Sequence, residues 1–135
     1  MPHMVVLYSP NLDPVADIGK LCRSLADEML TIRDERGQQV LPAGGVRVLA
    51  YAADHAAIAD GEGDYAFVYL NLRLGRGRSA DVKRRIGEQL AEVARRHFEP
   101  LMGRQPTGVT LQIDEGQEVF DHKYSTLHPL FADRK

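Results

Sequence analysis

The sequence predicts an α/β fold made of two tandem βαβ units, with two helices on one side of a four-stranded sheet. Three observations predict it. Short β-branched and aromatic runs alternate with two long stretches whose apolar residues recur at three- and four-residue steps. The order reads β, α, β and then β, α, β again, and the strands leading into the two helices open at Pro2 and at Tyr65. A length of 135 residues with 44% hydrophobic composition fits one domain, 1–135, divided into approximate halves 1–60 and 61–135. A chain of this size buries roughly two thirds of its unfolded surface and needs no disulfide or metal staple.

Pro2 to Tyr8 reads as the first strand, closed by the turn residues Ser9-Pro10-Asn11. Asp13 is expected to cap the first helix with Pro14 at its first position, and Ile18, Leu21, Cys22, Leu25, Met29 and Ile32 form its apolar stripe. A polar connector, Arg33 to Gln39, and the cluster Pro42-Ala43-Gly44-Gly45 lead into a second strand, Val46 to Tyr51. The alanine-rich segment Asp54 to Asp60 fits no single element. Tyr65 to Arg73 is the clearest strand. The turn Gly75-Arg76-Gly77-Arg78 then delivers Ser79 as cap of the second helix, with Val82, Ile86, Leu90, Val93 and His97 on one face. That helix should weaken at Glu99, because the residue before a proline is pushed out of the α region. Gly108 to Asp114 makes the fourth strand, and the tail from Gln117 to Lys135 reads as a short strand or loop followed by one helical turn. Two helices cover only one face of such a sheet. Since the strands, Ala66 to Leu72 above all, are apolar at most positions, the other face calls for a cover from outside the chain, such as another subunit.

The charge balance narrows the function classes. Seventeen Lys and Arg against nineteen Asp and Glu leave a formal net charge of −2. That supplies no global field for nucleic acid or an anionic membrane. No apolar run is long enough to span a bilayer, because Arg47, Asp54 and Asp64 interrupt the most hydrophobic region. The amino terminus has neither the basic start nor the small-residue cleavage site of a signal peptide, so a cytoplasmic protein is expected. The single cysteine, Cys22, has no intramolecular partner and lies on the apolar side of a helix, where packing explains it better than nucleophilic chemistry.

Few residues are left to carry chemistry. Gly75-Arg76-Gly77-Arg78-Ser79-Ala80 formally matches a dinucleotide-binding fingerprint, but the chain is too short for two mononucleotide-binding halves. The same turn says more about charge. Arg76 and Arg78 stand just before a helix N-terminus, whose dipole repels cations, and a bound carboxylate or phosphate would reverse that sign. Solvated loop arginines are an equal alternative. Lys83, Arg84, Arg85, Arg95 and Arg96 read as a solvated helix face balanced by Glu88 and Glu92. His3, His55, His97, His122 and His128 show no metal-ligand spacing. Asp114 and Glu115 are adjacent in a strand and point to opposite faces. Pro2 would become a secondary amine, and so a base, on loss of Met1.

Taken together, the Pro2-His3 start, Gly45-Val46-Arg47, Asp64-Tyr65-Ala66-Phe67-Val68, the turn Gly75 to Ser79 and His128-Pro129-Leu130-Phe131 resemble the 5-carboxymethyl-2-hydroxymuconate isomerase family of the tautomerase superfamily. The resemblance runs nearly end to end. It implies a tautomerase-like tandem βαβ repeat with a four-stranded mixed sheet, assembled as a homotrimer with its pocket near a subunit boundary. By motif position it makes Pro2 the catalytic base and Arg47 and Arg78 the residues that grip substrate carboxylates. The connector from about Asp34 to Leu41 is longer than the family pattern, and Arg76 stands where a small residue is expected. Nothing is carried over from Gln117 to Thr126.

What this implies is a keto-enol shift in the catabolism of hydroxyphenylacetate-type aromatics (the homoprotocatechuate route). A dienol carrying several carboxylates becomes the conjugated ketone with no metal or organic cofactor. Two other readings stay open: the same base acting on a different unsaturated 2-oxo acid, and a non-catalytic, oligomeric anion-binding module.

Overall fold

A computed structural model describes residues 2–131. The strands are β1 His3–Tyr8, β2 Arg47–Ala52, β3 Ala66–Leu74 and β4 Thr107–Glu115, and the helices are α1 Ile18–Thr31 and α2 Ala80–Met102. Short 3-10 turns occur at Pro10–Leu12, Ala43–Gly45 and His128–Phe131. The sheet order is β2-β1-β3-β4. Within each half the strand pairs are parallel, β1 with β2 and β3 with β4, while β1 and β3 join the halves antiparallel. The sheet is therefore mixed, as the resemblance implied.

Alternation along the strands decides what is covered. In β3, Ala66, Val68, Leu70, Leu72 and Leu74 are buried, and in β1 Met4, Val6 and Tyr8 are buried with them. Against these pack Leu21, Leu25 and Met29 of α1 and Ile86, Leu90 and Phe98 of α2. Each such side chain contributes about 1.5–3 kcal/mol when fully buried. The opposite face keeps large apolar groups exposed: Leu7 at 46%, Leu49 at 50%, Tyr51 at 52% and Phe67 at 38%. A one-residue slip would exchange the two faces, so the register is strongly specified.

Two helix boundaries differ from expectation. Helix α1 begins at Ile18, and its cap is Asp17, whose carboxylate accepts from the Lys20 N–H. Asp13 cannot serve there, because its carboxylate receives the Tyr8 hydroxyl at 2.7 Å, and the turn around Pro10–Leu12 buries Leu12 before the helix starts. Helix α2 does not weaken at Glu99. It runs through Pro100 to Met102. Pro100 lies in the last turn, so the one carbonyl deprived of a donor is that of exposed Arg96, which water can serve. Buried Phe98 and Leu101 hold the turn to the core. The segment 54–60 adopts neither helix nor strand, and Asn11 fastens the chain just before β3 by donating to the Asp64 carboxylate and the Tyr65 carbonyl.

Candidate active site

The topology collects chemistry at one end of the sheet. Parallel pairing starts β1 and β2 at that end, and antiparallel pairing of β1 with β3 makes β3 finish there. Pro2, immediately before β1, is buried and shares the helix side with Met4 by strand alternation. Arg47 opens β2 as the register partner of His3. Just beyond β3 comes the turn that carries Arg76 and Arg78. Gly77 there has a φ of +113°, a conformation L side chains rarely adopt, so the glycine is required by the bend. Ser79 then caps α2 by accepting from the Val82 N–H at 3.2 Å.

The two turn arginines have different surroundings. Arg78 is half-buried and donates to the carbonyls of Gly75 and Val40, both at 3.2 Å. Two N–H contacts leave further donors of its guanidinium for a ligand. Arg76 is exposed, and its Nε donates to the Gly116 carbonyl at 2.7 Å, tying down the exit of β4. The long connector is a tight hairpin. Arg33 and Gln39 form an antiparallel bridge, and Asp34 accepts from the N–H groups of Arg36 and Gln38. Its far end supplies the Val40 carbonyl, so the connector reaches Arg78 directly.

The electrostatics of this end favour uncharged bases and bound anions. Burial, then Arg73, then Arg47 hold the His3 imidazole below its ordinary value. Burial also pushes the Arg78 guanidinium down, with Glu115 opposing. Glu115 turns to the helix side, 3.3 Å from Lys83, whereas Asp114 on the opposite face accepts from Asn71 at 2.8 Å. The helix cations pair on the surface: Arg84 with Asp81, and Arg95 and Arg96 with Glu92. Cys22 packs against the core, and burial raises its thiol. His97 meets the Ala16 carbonyl. Among the described residues no group of three or more His, Cys, Asp or Glu converges as a metal site, and no helix is long and apolar enough to cross a membrane.

Sequence reasoning brought Pro2, Arg47 and Arg78 to this end but left His3 isolated and Arg73 unremarked. Both face away from the helices beside Arg47, because His3 pairs with Arg47 on one side and with Arg73 on the other. The signal that could find them is period-2 alternation combined with the β1–β3 register. The position of Met1 relative to Pro2 lies outside the described residues.

Residues 2–131 match the family described as 5-carboxymethyl-2-hydroxymuconate isomerase. The 5-carboxymethyl-2-hydroxymuconate Delta-isomerase of Escherichia coli is 30% identical over 131 residues, which is 97% of this chain and 99% of that protein. A crystal structure of a 5-carboxymethyl-2-hydroxymuconate delta-isomerase superposes with a TM-score of 0.93 at 56% identity, covering 97% of this chain and 93% of the other. A 5-carboxymethyl-2-hydroxymuconate isomerase from Deinococcus radiodurans R1 follows with a TM-score of 0.86 at 30% identity, over 96% and 93% of the two chains. With the tandem βαβ sheet and a match that spans every element from β1 to the 128–131 turn, the chain belongs to the 5-carboxymethyl-2-hydroxymuconate isomerase family, whose members are tautomerase-fold enzymes.

Proposed function

We propose that the protein ketonises 5-carboxymethyl-2-hydroxymuconate, with Pro2 as the base and Arg47 and Arg78 as carboxylate-binding residues. The observation that carries the reading is the buried Pro2 at the head of β1, at the same sheet end as Arg47 and the half-buried Arg78. Loss of Met1 frees the proline nitrogen as a secondary amine. That amine takes the proton of the enol hydroxyl, the C–O bond becomes a carbonyl, and the two C=C bonds of the diene give way to one between them, which leaves an electron pair on the far carbon. The ammonium then returns the proton to the far carbon, forming a C–H bond. The amine ends as it began, so no redox partner enters the step.

A base works best with a pKa near ambient pH. Burial and neighbouring guanidinium charges both disfavour the prolinium cation and lower its pKa, each unit corresponding to about 1.4 kcal/mol. The guanidinium groups also stabilise charge that develops on the substrate oxygen as the enolate forms. A homotrimer accounts for the large apolar side chains left exposed on the uncovered sheet face, Leu7, Leu49, Tyr51 and Phe67. The test is turnover by the purified protein of the triacid dienol and of phenylenolpyruvate. Selective conversion of the triacid is expected. Equal, weak conversion of both would favour a different unsaturated 2-oxo acid, and none would leave an anion-binding module.

A further inference from the structure

On the sheet face turned away from the helices, the register sets four side chains in one row across β2, β1, β3 and β4: Arg47, His3, Arg73 and Asp114. Neighbouring strands lie about 4.8 Å apart, so the backbones of Arg47 and Arg73 are separated by about 10 Å, with His3 between them. Two like charges facing one imidazole are unfavourable unless something anionic answers them. The anions beside Arg73 answer it weakly. Asp114 accepts from the Asn71 amide, and Glu118 stands 3.7 Å from the Arg73 guanidinium with both groups about half exposed. An exposed pair at that distance contributes little and exchanges readily. His3 does not add a competing positive charge at neutral pH, since burial and its two flanking arginines keep it neutral.

We propose that Arg73 is a third substrate-binding residue, which takes the remaining carboxylate of a triacid and releases Glu118 as it does so. This rests on the reading of the protein as a triacid isomerase. Pro2 directly precedes His3 with its ring on the helix side, so the row lies on the opposite sheet face at the same sheet end as the reacting amine. Arg47 and Arg73 flank that strand at a spacing suited to two carboxylates of one small molecule, and Arg78 approaches from the turn beyond β3. Glu118 acts as the resident carboxylate that holds the arginine until substrate replaces it.

The experiment compares wild type with Arg73→Gln, Arg73→Lys and Glu118→Gln on three dienols: the triacid, the diacid lacking the carboxymethyl arm, and the monoacid phenylenolpyruvate. Arg73→Gln should lower kcat/KM for the triacid on the order of thirtyfold, mostly through KM, as loss of a charge-assisted contact does. The other two substrates should change by less than about twofold. Arg73→Lys should recover most of the loss, and Glu118→Gln should lower KM for the triacid alone. Unchanged triacid kinetics in Arg73→Gln, or an equal loss on all three substrates, would overturn the role of Arg73 while leaving the isomerase reading intact. Failure of the wild type to convert the triacid would overturn both.

Discussion

Arg78 carries two loads. In the proposed function it offers charge to a substrate carboxylate, and it fastens the 33–41 hairpin to the turn that starts α2. Arg78→Ala should therefore cut kcat/KM on the order of a hundredfold and also lower stability by about 1–2 kcal/mol in a denaturant titration. Arg47→Ala should show a catalytic loss of the same order, whereas Arg76→Ala, whose guanidinium is committed to the Gly116 carbonyl, and Arg84→Ala on the solvated helix face should change turnover little. At Pro2 the expectation is categorical. An amide nitrogen is no base, so protein that keeps Met1 should be inactive and Met1-free protein active, as intact-mass spectrometry paired with turnover would show. Pro2→Ala should retain a small fraction of activity through a less well placed primary amine. His3 gives a pH signature: an unfolded chain protonates it near the ordinary value of 6.5, and the folded chain only at lower pH. Its contribution to stability is thus full above 6.5 and is lost as pH falls through the folded value, and His3→Gln should flatten that acid limb in thermal unfolding.

At the scale of elements, the tail reaches back to the entrance of β2. A Cβ on buried Gly44 would lie 2.8 Å from the His128 Cα, so Gly44→Ala should push the 128–131 turn away and speed proteolysis between residues 117 and 131. Two motifs far apart in sequence, Gly45-Val46-Arg47 and His128-Pro129-Leu130-Phe131, are thus neighbours in space. Strand β3 was legible almost to the residue, because its apolar and aromatic run is unbroken from Tyr65 to Leu70. Helix ends were less legible. Asp13 and Asp17 are both plausible caps, and only the tertiary contact of Tyr8 with Asp13 chooses between them. Pro100 reads as a breaker locally, yet Phe98 and Leu101 anchor the last turn. Pro2, Arg47 and Arg78 were named through motif resemblance, whereas the placing of His3 and Arg73 beside Arg47 depends on strand order, which no local pattern encodes.

For the whole molecule, the uncovered sheet face is the proposed seat of assembly. Sedimentation at micromolar concentration should give a trimer of 15.0 kDa chains, and a persistent single-chain species would overturn that expectation. Leu49→Glu, in the exposed apolar group on edge strand β2, should dissociate the assembly while each chain keeps its far-UV circular dichroism, because Leu49 is not among the residues of the core beneath the helices. The sheet order has a further consequence for synthesis. The first strand to leave the ribosome is an inner strand, and both of its neighbours are made later, β2 at Arg47–Ala52 and β3 at Ala66–Leu74. At roughly 5–20 residues per second, Met4 to Tyr8 waits on the order of ten seconds as an unpaired apolar segment. The segment directly after Pro2, the residue proposed to do the chemistry, therefore gains its strand partners only after β2 and β3 have been made.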